Sequence, residues 1–134
     1  MKLFLLFSVA LLLSACAHSE PKIPSELVGI WANDGAILRD GKWLMSGQAL
    51  YLGADGSGAV LGGPPPIGVK ISATFDATKN TLSIDLIERD KVVKSVSATY
   101  DPNEKTINMG SSKPVFLTRR SEIFDANIKK GLGL

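Results

Sequence analysis

Few residues of this chain can do chemistry, and their types limit what that chemistry is. The sequence holds one cysteine, Cys16, and one histidine, His18. A thiol can serve as a nucleophile, a metal ligand or an acceptor of a lipid group. Beyond residue 18 there is neither thiol nor imidazole, so a serine or cysteine nucleophile further along lacks its usual base. No Gly-x-Ser-x-Gly occurs. Asp34, Asp40, Glu88 and Asp90 are the carboxylates that could pair for acid–base work, but each sits beside turn residues, where acidic side chains are ordinary. The run Gly53-Ala54-Asp55-Gly56-Ser57-Gly58 offers one carboxylate where a hard cation takes several oxygen ligands, so it reads as a hairpin turn. Residues 63–70 have the faint outline of a phosphate loop. The prolines there remove the N–H groups that would cradle phosphate, and Lys70 is misplaced. The expectation is a chain without enzymatic activity, metal or cofactor.

Cys16 has a specific context. Met1-Lys2 gives a short basic head, and Leu3 to Leu13 is apolar except for Ser8. That run is too short to cross a bilayer, which takes about 20 residues, and reads as a signal peptide over 1–15. It ends in Leu13-Ser14-Ala15-Cys16. This resembles the lipobox of bacterial lipoproteins, a leucine and two small residues before an obligatory cysteine. The resemblance implies cleavage before Cys16, a diacylglycerol on its thiol and a further acyl chain on its freed amine. One acyl chain binds a membrane only marginally, and the several chains of such a lipoprotein hold it firmly. The next residue is Ala17 rather than Asp, which by the sorting rule of such lipoproteins implies the outer membrane, with the domain in the periplasm.

Residues 16–25 read as a lipidated tether. Ala17-His18-Ser19-Glu20-Pro21-Lys22 is polar, with Pro21 and Pro24 punctuating it, and buries too little to order itself. His18 lies there and reads as a solvated tether residue. Lys2 is the only charged residue of 1–15, so cleavage lowers the net charge of +2 by one. With no basic stripe, nucleic-acid binding has no electrostatic support.

Residues 26–134 fit one domain of consecutive short strands. Val69, Ile71, Ala73 and Phe75 alternate with polar residues, as do Leu82, Ile84 and Leu86, and Val92, Val96, Ala98 and Tyr100 share one face of the next run. A period of two puts each set on one face of a strand. Strands are expected near 27–32, 35–39, 42–52, 57–61, 68–76, 81–88, 91–100, 105–109 and 114–119, within two to four residues. Arg39-Asp40-Gly41, Ala54-Asp55-Gly56 and Arg89-Asp90 are tight-turn sequences. Phe75-Asp76-Ala77-Thr78-Lys79-Asn80-Thr81-Leu82 and Tyr100-Asp101-Pro102-Asn103-Glu104-Lys105-Thr106-Ile107 share a pattern and predict two similar hairpins. The long 42–52 run is apolar on both faces: Trp43, Met45, Ala49 and Tyr51 on one, Leu44, Leu50 and Leu52 on the other. Either another element covers its outer face or a partner does. Gly47 would let that strand bend. Ser121 as N-cap, with Glu122 and Asp125 early and Lys129 and Lys130 late, predicts a short C-terminal helix over 121–130.

A meander of about eight strands tends to close on itself, which removes its edges. The fold expected is therefore all-β, a small antiparallel up-and-down barrel with a short C-terminal helix. Leu27-Val28-Gly29-Ile30-Trp31 resembles the first strand of the calycin barrels, which include the lipocalins. In those the Trp plugs one barrel end and an Arg after the last strand packs over its ring. The resemblance implies that Gly29, Trp31 and either Arg119 or Arg120 build such an end, as a cation–π pair. The chain departs from it in being short and in lacking a Thr-Asp-Tyr motif. Another small barrel or sandwich remains open.

Three roles remain open as well. One is non-enzymatic binding of a small apolar ligand, in a cavity lined by Ile71, Phe75, Ile84 and Leu86, or of an envelope protein. Another is inhibition of a protease or lysozyme by an inserted segment, either 16–24 or 62–68. The third is a structural part of the envelope. Gly62-Gly63-Pro64-Pro65-Pro66-Ile67-Gly68 is stiff, and Pro64, Pro65 and Pro66 would form a rigid lip over a cavity mouth or a partner-binding loop. The oligomeric state is not legible.

Overall fold

The computed structural model describes residues 22–39, 42–63 and 67–120, with the backbone alone for 37–39 and 42–45. Ten strands run along them: β1 (Gly29–Ala32), β2 (Ala36–Arg39), β3 (Lys42–Met45), β4 (Gln48–Leu52), β5 (Ser57–Gly62), β6 (Ile67–Asp76), β7 (Thr81–Glu88), β8 (Lys91–Asp101), β9 (Thr106–Asn108) and β10 (Phe116–Arg119). Eight of them close a barrel in the order β1-β10-β9-β8-β7-β6-β5-β4, all neighbours antiparallel. β2 and β3 pair only with each other. The expected all-β up-and-down barrel is therefore present, with one hairpin set outside it. The helix expected over 121–130 lies outside the described residues.

The 42–52 run is not one strand. It divides at Ser46-Gly47 into β3 and β4, which belong to different sheets. The division has a local cause. The Ser46 N–H and hydroxyl both donate to the Gly35 carbonyl, at 3.1 and 3.0 Å, which closes the base of the β2–β3 hairpin. Gly47 then passes so close to Asn33 that a Cβ would run into its side chain. Gly47 thus marks a change of sheet rather than a bend within one strand. The outer face of β4 is covered: Ala49 and Tyr51 pack in a cluster with Ile30, Ala32, Ala59, Leu61 and Ala36 at the start of β2. Arg120 secures this side from the last strand. Its backbone N–H donates to Ile30 O, and its Nη2 donates to Asn33 O and Ala36 O.

The two repeated turns have the same construction. Asp76 Oδ1 accepts from the N–H groups of Thr78 and Lys79, and Asp101 Oδ1 from those of Asn103 and Glu104. Asn80 and Lys105 occupy the matching left-handed position, with φ of 49° and 53°. The Thr78 hydroxyl also donates to Asp76, at 2.6 Å, and the Ser57 hydroxyl donates to Asp55 in the same way. These hydroxyl bonds, more than any other contact, hold both carboxyls below the ordinary value of 3.8. What each carboxylate adds to its turn is therefore full above that value and lost as pH falls through the lower folded one. On acidification the amides of Ser57 and Thr78 are expected to lose protection relative to their intrinsic exchange rates before the barrel unfolds. Asp76→Asn should remove the pH dependence at Thr78, and an NMR titration reads both.

Candidate functional site

Antiparallel order gives the barrel two distinct poles. β1, β5, β7 and β9 start at one, and β4, β6, β8 and β10 start at the other. The chain enters at the first pole through residues 22–28 and leaves β10 there, so we call it the tether pole and its opposite the free pole.

The tether pole is plugged. Ile23 and Leu27 are fully buried, although Ile23 lies in the stretch whose composition suggests a spacer. The Ile23 N–H donates to Ala54 O in the β4–β5 turn, at 3.2 Å, and Leu27 N–H donates to Pro24 O. Trp31, 1% exposed, sends its indole N–H to Leu27 O at 2.9 Å. Its ring meets Tyr100 edge to face, with centroids 6.0 Å apart, and Tyr100 meets Phe75 in the same manner at 6.5 Å.

The barrel-end residues named from the sequence do converge there, with one difference. Arg119 is the cross-strand neighbour of Trp31, and its guanidinium lies beside Gly29, whose φ of 134° is a conformation side-chain-bearing residues rarely adopt. A Cβ on Gly29 would lie 3.5 Å from Arg119 Nε. Arg119 Nη2 donates to Val28 O at 2.8 Å. Among the described residues neither arginine stacks on the Trp31 ring; both spend their guanidinium on backbone carbonyls, which the closing strands leave within reach.

The interior beyond the plug is filled. Trp31, Leu50, Leu52, Ile71, Ala73, Leu82, Ile84, Ala98, Ile107 and Leu117 form one continuous buried cluster. Ile71 and Ile84 are core residues at its centre, 3% and 0% exposed. Phe75 is half-buried beside Tyr100, and Leu86 is half-buried one strand pair further toward the free pole. Ile71 and Ile84 are thus packed into the core, and none of the four lines either the hollow at the free pole or the one beside Phe116. A period of two identifies the inward row, but it does not say whether large residues across the barrel meet in the middle.

The hollow at the free pole measures about 380 Å³ and is open, with Gln48, Val60, Gly62, Ile67 and Val69 on its walls. Pro64, Pro65 and Pro66 adjoin it in sequence and lie outside the described residues, as does Cys16. A second hollow of about 480 Å³ runs along the outside of β8, β9 and β10 beside Phe116. Comparison with protein-family models, with curated proteins and with solved structures found no match. The geometry of the site therefore carries the functional argument.

Four large apolar side chains are exposed among the described residues: Ile67, Val92, Val93 and Phe116, at 61, 58, 54 and 57%. Ile67, Val92 and Val93 lie in the first residues of strands at the free pole, whereas Phe116 starts the short β10 level with Thr99, beside the β8–β9 turn. Glu88 and Asp90 flank the β7–β8 turn at that pole, while Asp34 lies in the turn before β2 and Asp40 outside the described residues. Among the described residues no group of three His, Cys, Asp or Glu side chains could hold a metal ion. Val92, expected on the apolar face with Val96, is instead exposed, because the register shift at Leu86/Ile87 breaks the alternation of β8 there.

Proposed function

We propose that this chain is a lipid-anchored envelope lipoprotein that binds an envelope protein, without enzymatic activity, through the free pole of its barrel. The observation that carries this reading is that Ile67, Val92 and Val93 stand together at the pole opposite the chain's entry, while Phe116, level with Thr99 across β9, lies apart from them. Exposed apolar side chains gathered at one place mark interaction surfaces more often than singly scattered ones do. An anchor at Cys16 would hold the tether pole toward the outer membrane and turn the apolar rim into the periplasm. A filled interior argues against a ligand enclosed within the barrel.

Binding of a small apolar molecule keeps one supporting observation, since the free-pole hollow of about 380 Å³ is within the range of ligand pockets. Native mass spectrometry of the protein extracted without delipidation separates the two readings. A co-purifying protein that is lost in an Ile67→Glu, Val93→Glu double variant is the expected result. A co-purifying lipid retained with no protein would overturn it in favour of the small ligand. Palmitate labelling tests the anchor, and equal labelling of Cys16→Ser would reject it.

A further inference from the structure

The barrel is closed, yet one of its strands keeps an open edge. β8 spans Lys91–Asp101, while β9, its neighbour on one side, spans only Thr106–Asn108 and pairs with Thr99, Tyr100 and Asp101 alone. Among the described residues, 91–98 therefore pair with β7 and with no strand on the other side. The ladder says which groups are left over. Tyr100 N–H donates across to Asn80 O, so the even residues of β8 from Lys94 to Tyr100 turn their backbone N–H and C=O toward β7. The backbone groups of Ser95 and Ser97 then point the other way. The loop that continues from β9 does not take them. Met109 N–H donates to Val115 O, and the N–H groups of Gly110 and Val115 both donate to Asn108 Oδ1. The side chains from Lys91 to Ser95 are exposed on both faces, unlike any other run within the barrel strands.

An unpaired edge of this length is a template for another strand. Its charge selects which. Residues 91–98 and the 109–115 loop carry Lys91, Lys94 and Lys113, all exposed, and no carboxylate; the nearest ones, Glu88 across from Lys91 and Asp85 bonded to the Ser95 hydroxyl, lie on the β7 side. A second copy would bring the same lysines to the same edge. The register shift at Leu86/Ile87 twists the strand opposite Val92 to Lys94, a device that blunts self-pairing. We propose that residues 91–98 of β8 accept an extended segment of a protein partner in which apolar and acidic side chains alternate. This rests on the free-pole reading and specifies its mode: backbone hydrogen bonds at Ser95 and Ser97, apolar contact at Val92 and Val93, and carboxylates meeting Lys91 and Lys94.

The test uses the full chain in nanodiscs and two short extended peptides, one alternating valine with glutamate and one alternating valine with lysine. The glutamate peptide is expected to bind and to slow hydrogen exchange at the Ser95 and Ser97 amides. Ser97→Pro removes one outward N–H without touching the β7 ladder, and should weaken binding about tenfold, the scale of one hydrogen bond. Lys91→Glu with Lys94→Glu leaves the backbone alone and should reverse the preference to the lysine peptide. Binding without protection at Ser95 and Ser97, or no binding by either peptide, overturns the proposal. In cells, a photo-crosslinking residue in place of Ile67 keeps this separate from the broader reading. Crosslinks to a protein that survive Ser97→Pro sink strand addition alone. If neither Ile67 nor Val93 crosslinks to protein, the free-pole reading falls too.

Discussion

Trp31→Ala is expected to cost about 3–5 kcal/mol, enough to unfold a large share of a domain whose whole stability is of order 5–15 kcal/mol. Three losses combine at that residue. A fully buried indole leaves a cavity between Leu27 and the barrel interior. The Leu27 carbonyl loses its donor, and Tyr100 loses the ring it meets edge to face. Trp31→Phe separates these, because it keeps much of the volume and removes the N–H. That variant should lose about 1–3 kcal/mol, the scale of one orphaned buried polar group. Urea denaturation followed by circular dichroism measures both, and equal losses in the two variants would show that the hydrogen bond rather than the packing dominates.

The second large effect is expected at Gly56, in the turn between β4 and β5. Its φ is 87°, and a Cβ there would run into the Ala73 carbonyl oxygen. The approach is enforced from both sides, since Ala73 N–H donates to Gly56 O at 2.7 Å and Gly56 N–H to Gly53 O at 3.0 Å. Gly56→Val adds backbone strain to steric overlap and should cost about 2–5 kcal/mol. Gly62→Ala is the control. Its nearest would-be contact is 3.9 Å away, so the change should stay within about 1 kcal/mol. Because Ile23 is bonded to Ala54 in the same turn, Gly56→Val should also loosen the plug, which limited proteolysis at residues 22–28 would report.

The barrel was largely legible because its strongest signals are local. Period-two alternation in β6, β7 and β8, and the Asp-led turns at 76–80 and 101–105, depend only on near neighbours. The position of β2 and β3 was not. The pairing of Trp31 with Leu50 joins strands separated by an entire hairpin, and no local pattern specifies that step. The same holds for Ile23, whose burial depends on a turn some thirty residues onward rather than on its proline-flanked surroundings. At the candidate site, sequence spacing identified the inward row containing Ile71 and Ile84, but the difference between a lined cavity and a packed core is a matter of volumes summed across the barrel. The open edge of β8 follows from comparing its length with that of β9, two elements whose ends only the folded chain defines.

The entry of the chain at the start of β1 has a mechanical consequence. β1 is laddered to β4 on one side and to β10 on the other, with hydrogen bonds running across the strand axis. A pull on residue 22 directed away from the barrel, resisted by a load at the opposite end, drags β1 lengthwise between its neighbours. The ladder bonds then bear force in parallel and must fail together, whereas a pull from the side would peel them one at a time. Were the chain anchored and bound as proposed, an attachment at this end would let it resist a pull between the two.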